Sequence, residues 1–122
     1  MTGTSWTVIT RPKFVLWFDS QDLLTQKRVA ASLKLLKQRG PMLGRPYADT
    51  VYESAFPNMK ELRIQNQGKP VRAFFAFDPL RQAIVLCAGD KSGDKRFYDR
   101  MIPLADREYQ EYLKEEFEDE QK

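Results

Sequence analysis

Arg63 and Arg72 flank the run Asn66-Gln67-Gly68-Lys69-Pro70, whose residue types favour a tight turn. If the stretches on either side are strands of one hairpin, that turn brings the two guanidinium groups towards each other. Lys60 precedes them, and Asp90, Lys91, Lys95, Arg96 and Tyr98 follow the next apolar run. Gathered into one groove, these cations suit a phosphate chain. Arginine suits it best, because its planar fork meets two phosphate oxygens at once. The competing reading is structural: solvated strand residues, or Arg63 bonded to a nearby carboxylate such as Glu61.

The chain has no histidine and one cysteine, Cys87. The commonest general base is therefore missing, and no zinc site of ordinary spacing can be built. Chemistry must come from Lys, Arg, Tyr, Asp, Glu or Ser. RNA cleavage lies within reach of such a set without metal or cofactor, since the RNA's own 2′-hydroxyl can attack the adjacent phosphorus. The protein then supplies cations against the developing dianion, a group to take the 2′ proton and a group to protonate the leaving 5′ oxygen. A lysine crowded by other cations can act as the base. Tyr98 can stack on a nucleobase, assist proton transfer or pack. Asp90 can be a base or a hydrogen-bonding support.

The elements that must position these groups follow from periodicity. Ser5 to Thr10 alternates as a first strand. Pro12 opens a short apolar helix through Phe18, and Ser20 is placed to cap a longer helix from Gln21 to Arg39. On that helix Val29, Leu33 and Leu36 form one stripe, with Leu24 and Leu35 off it, facing the first helix or a partner protein. Residues 40–57 read as loop with a short strand near Thr50 to Ser54. Lys60 to Gln65, Val71 to Phe77 and Ala83 to Cys87 make an antiparallel meander, and Gly89 to Gly93 a loop. A helix from Asp94 meets Pro103, which either kinks it or opens another. The order β-α-α-β-β-β-β-α predicts an α+β fold in which an antiparallel sheet carries the helices on one side, an N-terminal αα-hairpin and a C-terminal helix.

The 122 residues fit one domain, 1–122, with 42% apolar residues for a small core. No apolar run approaches the roughly 20 residues of a membrane span, and neither a span nor a signal peptide is expected. Cys87 lies in an apolar run and reads as a buried small hydrophobe; a lone cysteine fits a reducing cytoplasm. The net charge of +3 is uneven. Residues 1–107 hold 18 Lys/Arg against 10 Asp/Glu, and residues 108–122 hold 2 against 7. A basic body with an acidic tail points to an anionic partner for the body.

Three ordered segments then resemble a known family: Pro57-Asn58-Met59-Lys60-Glu61-Leu62-Arg63-Ile64, Arg72-Ala73-Phe74-Phe75-Ala76-Phe77-Asp78-Pro79, and Gly89 through Tyr98. Together with Phe14 to Phe18, Gly40 to Tyr47 and Met101 to Ala105, they look like RelE/HigB-type toxins of bacterial type II toxin–antitoxin systems. The likeness is closer to the HigB-like branch related to the phage protein Gp49. It implies a RelE-like fold, a cytoplasmic protein and endonucleolytic cleavage of mRNA in the ribosomal A site. It also implies neutralisation by a cognate HigA-like helix-turn-helix antitoxin. Carried over, Arg72 matches the central-strand arginine that contacts phosphate and transition state, and Arg63 the arginine of the preceding strand. Lys91, Lys95 or Arg96 match the basic residues after the last strand, and Tyr98 a C-terminal-side tyrosine. Several HigB proteins use a histidine that this chain lacks, and RelE has more lysines on the strand where Glu61 stands. The expected catalytic set is Arg72, Arg63, Lys91 and Tyr98, with Lys60, Lys95, Arg96 and Asp90 binding RNA. The alternative is a non-catalytic RNA- or partner-binding module of phage origin with the same fold, or a decayed toxin retained as its antitoxin's structural partner.

Overall fold

The computed structural model describes residues 5–118. Its strands are β1 (Val8–Thr10), β2 (Ala48–Thr50), β3 (Met59–Asn66), β4 (Lys69–Phe77) and β5 (Ala83–Asp90). Its helices are α1 (Pro12–Asp19), α2 (Leu23–Arg39) and α3 (Phe97–Leu113), the last continued by a π-helical turn, Lys114–Glu118. One sheet holds all five strands in the order β1-β5-β4-β3-β2.

The register of the central hairpin comes from its turn. Gln67 and Gly68 both take positive φ, 55° and 81°. Such a two-residue connection matches the twist of the flanking strands, and Gly68 enters the left-handed region with no Cβ to strain it. Asn66 pairs with Lys69, and counting inward sets Arg63 opposite Arg72 and Glu61 opposite Phe74. The Asn66 amide also donates to Thr25 Oγ1 at 2.7 Å, tying the turn to α2 inside the protein.

Alternation along the strands then sorts side chains onto two faces. Leu62, Ile64, Val71, Phe75 and Val85 pack with Phe14, Val29 and Leu36 under α1 and α2. Met59, Phe74, Ala76, Ile84 and Leu86 pack with Phe97, Met101, Ala105 and Tyr109 under α3. Helices therefore cover both faces, not one as expected. The physical cause is visible in β4 and β5, each buried on consecutive residues, because a strand apolar on both faces needs a layer on both sides. The sheet is also mixed: β1 runs parallel to β5, while every other pair is antiparallel.

Local expectations change in smaller ways. The first strand shortens to Val8–Thr10. Asp22, not Ser20, caps α2 by accepting from the Thr25 N–H at 2.9 Å, while the Ser20 hydroxyl turns back to the Trp17 carbonyl. The strand near Thr50 ends there, and Val51–Ser54 turns away, with Ser54 and Ala55 held by Asp106 of α3. Gly89 and Asp90 belong to β5 rather than to a loop. α3 starts at Phe97 and runs unbroken past Pro103, anchored by buried Met101, Ile102, Ala105, Tyr109 and Tyr112. Leu35 packs on the α1/α2 core, whereas Leu24 is 43% exposed. Cys87 is buried, and that burial pushes its thiol up to about 12.

Candidate active site

Glu61 and Arg63 on β3 and Arg72 on β4 share the sheet face that α3 covers, near that helix's N-terminus. Two arginines directly across a strand pair repel each other. Glu61, two residues along the same face, offsets this: its carboxylate stands 3.0 Å from Arg63 Nη1 and 3.8 Å from Arg72 Nε. Tyr98, in the first turn of α3, donates its hydroxyl at 2.8 Å to Glu61 Oε1, the oxygen that also faces Arg72, while Arg63 takes Oε2. Lys91 completes the group, its Nζ 5.6 Å from the centre of the Tyr98 ring.

The approach of α3 that delivers Tyr98 depends on Gly89, the residue opposite Arg72 on β5. A Cβ there would sit 3.1 Å from the Phe97 ring, tighter than ordinary packing. Tyr98 then wedges edge-on against Phe97 and Phe74. Burial and the Glu61 carboxylate hold the Tyr98 phenol above its ordinary range, against the opposing pull of Arg72. At neutral pH it keeps its proton and has it to donate. Arg72 is 5% exposed; one guanidinium nitrogen donates to the Val71 carbonyl at 3.2 Å, and its buried Nε has no hydrogen-bond partner.

Beside Glu61 and Tyr98 opens a cavity of about 470 Å³. Val51, Ile102 and Pro103 give it apolar walls, while Glu53, Glu61 and Asp99 give it carboxylates. Phosphate is repelled by such a lining, but the exocyclic amino group of a nucleobase is not. Among the described residues no group of three or more His, Cys, Asp or Glu is placed to hold a metal ion.

The fold thus brings together all four residues expected to be catalytic: Arg72, Arg63, Lys91 and Tyr98. The four expected to bind RNA stay apart from that cluster. Lys60 alternates to the opposite sheet face and donates to Thr50 Oγ1 at 3.3 Å. Asp90 is on that opposite face as well, where it accepts from the Ser92 N–H and is held below the usual carboxylate range by that bond. Lys95 and Arg96 are exposed just before α3, and the Arg96 N–H donates to Asp94. The central carboxylate was the missed member. Its signal was the Glu-x-Arg spacing, which puts Glu61 and Arg63 on one face of a strand, so the structural pairing of Arg63 with Glu61 is realised within the cluster itself.

This architecture is the RelE-like α+β fold. The structure superposes on that of E. coli toxin RelE, solved as a double arginine-to-alanine mutant in the free state, with a TM-score of 0.59. The match covers 80% of this chain and 95% of that one at 6% identity, a likeness of fold. Residues 16–110 match the family described as phage derived protein Gp49-like, and the chain belongs to that family. Two Mycobacterium tuberculosis relatives are similar in sequence. "Putative toxin HigB3" is 46% identical over 89% of this chain and 95% of its own length. "Putative toxin HigB2" is 47% identical over 84% of this chain and 52% of its own length.

Proposed function

We propose that this protein is the toxin of a type II toxin–antitoxin pair, an endoribonuclease that cuts mRNA in the ribosomal A site and is neutralised by a HigA-like helix-turn-helix antitoxin. It acts in the cytoplasm, without metal. The observation that carries the reading is the surplus of guanidinium at one carboxylate: Arg63 and Arg72 share Glu61, with Tyr98 hydrogen-bonded to it.

The chemistry follows from that surplus. A scissile phosphate entering beside Arg72 and Arg63 takes over part of the charge pairing that Glu61 now supplies. Glu61 is then free to accept the proton of the 2′-hydroxyl as the 2′ oxygen bonds to phosphorus. The guanidinium groups stabilise the pentacovalent dianion. The bond from phosphorus to the 5′ oxygen breaks, and Tyr98 or Lys91 supplies that oxygen's proton, leaving a 2′,3′-cyclic phosphate and a 5′-hydroxyl. Lys60, Lys95 and Arg96 lie outside the reacting cluster and act at most on the flanking RNA.

Expression of the wild type and of Arg72→Ala, with mRNA ends mapped by primer extension on isolated ribosomes, tests this. The wild type is expected to arrest growth and cut translated mRNA. Arg72→Ala is expected to lose about a hundred- to a thousandfold in cleavage while keeping the wild-type circular dichroism spectrum. Wild-type protein that leaves both ribosome-bound and free mRNA intact would remove the enzyme reading. The burial of Arg72 favours one second reading, a non-catalytic RNA- or partner-binding module, whose mark is salt-dependent RNA binding with intact product.

A further inference from the structure

A strand of RNA seated at Arg63 and Arg72 has two ways to leave. On the α3 side it meets Glu53, Glu61 and Asp99 around the 470 Å³ cavity, a lining that repels phosphate. On the other side of Arg63 lies a second depression of about 440 Å³, between α2 and the edge of β3. Its charged lining residues are Lys27, Arg28 and Arg63, with no carboxylate among the lining residues. Lys27 and Arg28 are exposed, and neither makes an ion pair among the described residues. Their i+4 neighbours on the helix are Ala31 and Ser32, small enough to leave floor space beneath the two charged heads.

The groove sits at the sheet edge, where β2 no longer covers β3. β2 pairs only with Lys60 to Leu62, and the last bond to that side is the Arg63 N–H to the Tyr47 carbonyl at 2.8 Å. Alternation turns the Gln65 N–H the same way, past the end of β2, as a further outward donor. Tyr47, 49% exposed, sets an aromatic ring on the groove wall. Arg63 belongs to both places, lining this groove and pairing with Glu61 in the site. Cations, an aromatic face and continuity with the reacting phosphate form the combination that tracks single-stranded nucleic acid.

We infer that this groove is a single-strand RNA subsite, which carries the nucleotides flanking the scissile phosphate around the sheet edge towards α2. Lys27 and Arg28 hold backbone phosphates and Tyr47 stacks on a base. The inference rests on the proposed reading of the Arg63/Arg72 site as an RNA-binding site, and it names the path of the strand away from it.

The probe is a 2′-O-methyl RNA oligonucleotide, which lacks the attacking hydroxyl and stays intact, with affinity followed by fluorescence anisotropy across a KCl series. A trinucleotide and a dodecamer are compared. Lys27→Gln with Arg28→Gln is expected to reduce the salt slope of dodecamer binding by about 1.4, two phosphate contacts on a single strand. Tyr47→Ala is expected to weaken dodecamer binding about five- to a hundredfold with the slope unchanged. Trinucleotide binding is expected to stay at the wild-type level in all of these variants, and thermal melts confirm that the exposed substitutions leave the fold intact. Wild-type affinity and slope in the variants, while Arg72→Ala abolishes cleavage, would overturn the groove alone. Failure of the wild type to bind either oligonucleotide would overturn the groove together with the reading beneath it. Undiminished RNA binding with loss of binding to poly-glutamate would overturn it in favour of an acidic protein segment.

Discussion

Two polar clusters lie along the α3-covered face of the sheet, one at each end of that helix, and they share a plan. In each, a tyrosine of α3 donates to a buried carboxylate: Tyr98 to Glu61 at 2.8 Å, and Tyr112 to Asp78 at 2.6 Å. Each also holds an arginine whose buried Nε has no hydrogen-bond partner, Arg72 in the first and Arg11 in the second. They differ in the balance of charge. At the C-terminal end one guanidinium, Arg11, stands against two carboxylates, 2.9 Å from Glu115 and 3.7 Å from Glu108. Asp78 is satisfied there by the Gln82 backbone and side chain, both at 2.8 Å, as well as by Tyr112. At the N-terminal end two guanidinium groups share one carboxylate and a lysine stands by. The first arrangement has nothing to offer an anion and pins the end of α3. The second has more guanidinium than carboxylate within its cluster, which is the condition a phosphate beside the two arginines relieves.

The largest test of this contrast is Glu61→Gln. If Glu61 is the proton acceptor, single-turnover cleavage falls by about 10²- to 10⁴-fold. The same change strips Arg63 and Arg72 of their shared partner, and breaking a buried pair costs about 3–5 kcal/mol. Urea denaturation therefore has to accompany the kinetics, with rates compared at equal folded fraction. Wild-type cleavage by folded Glu61→Gln would move the base to Lys91.

Reciprocal tyrosine substitutions give the next effect in size. Tyr98→Phe is expected to slow cleavage about a hundredfold if the phenol protonates the leaving oxygen, with a stability loss of about 1 kcal/mol for one net hydrogen bond. Tyr112→Phe leaves Asp78 short of a donor inside the protein, and is expected to cost about 1–3 kcal/mol with cleavage unchanged below the melting transition. Cleavage assays and thermal melts on the two variants separate the clusters. Equal effects on both readouts would erase the distinction between anchor and site.

The hairpin that assembles the site was legible in the sequence because a two-residue turn fixes a register, and the register fixes which arginine faces which. Period-two alternation also carried a correction that was available from the start. Leu62 and Ile64 belong to the core, so Lys60 shares their face and cannot join Arg63 and Arg72. The second helical layer was written in the doubly apolar run Ala73-Phe74-Phe75-Ala76, which a one-sided sheet could not bury. The parallel pairing of β1 with β5 was not legible. It involves three residues, Val8 to Thr10, joined to partners far along the chain, and no local pattern distinguishes that pairing from an antiparallel one. Nor did residue types reveal the sharing of Glu61, since a carboxylate between cations reads equally as a neutralising partner and as a reacting group.

The smallest predicted effect is the alkaline limit of stability, and it probes the anchor more than the site. Tyr98, Tyr109 and Tyr112 are all held above their ordinary range, each chiefly by burial. Below about pH 10 these phenols are protonated in folded and unfolded chains alike, and their contribution is complete. As pH rises further the unfolded chain loses its phenol protons first, so stability drains towards the folded values. Burial of Cys87 adds a loss of the same sign from its ordinary thiol range up to about 12, and adds it equally to every variant. The difference between variants therefore isolates the tyrosines. For Tyr112 burial and Asp78 act together, whereas for Tyr98 Arg72 opposes the rise caused by burial and Glu61. Melting temperatures between pH 8 and about pH 11 are expected to fall less steeply in Tyr112→Phe than in the wild type, with Tyr98→Phe close to the wild type. A flatter profile in Tyr98→Phe than in Tyr112→Phe would mean that the phenol at the guanidinium-rich end is the one committed to holding the fold, and the roles of the two clusters would have to be exchanged.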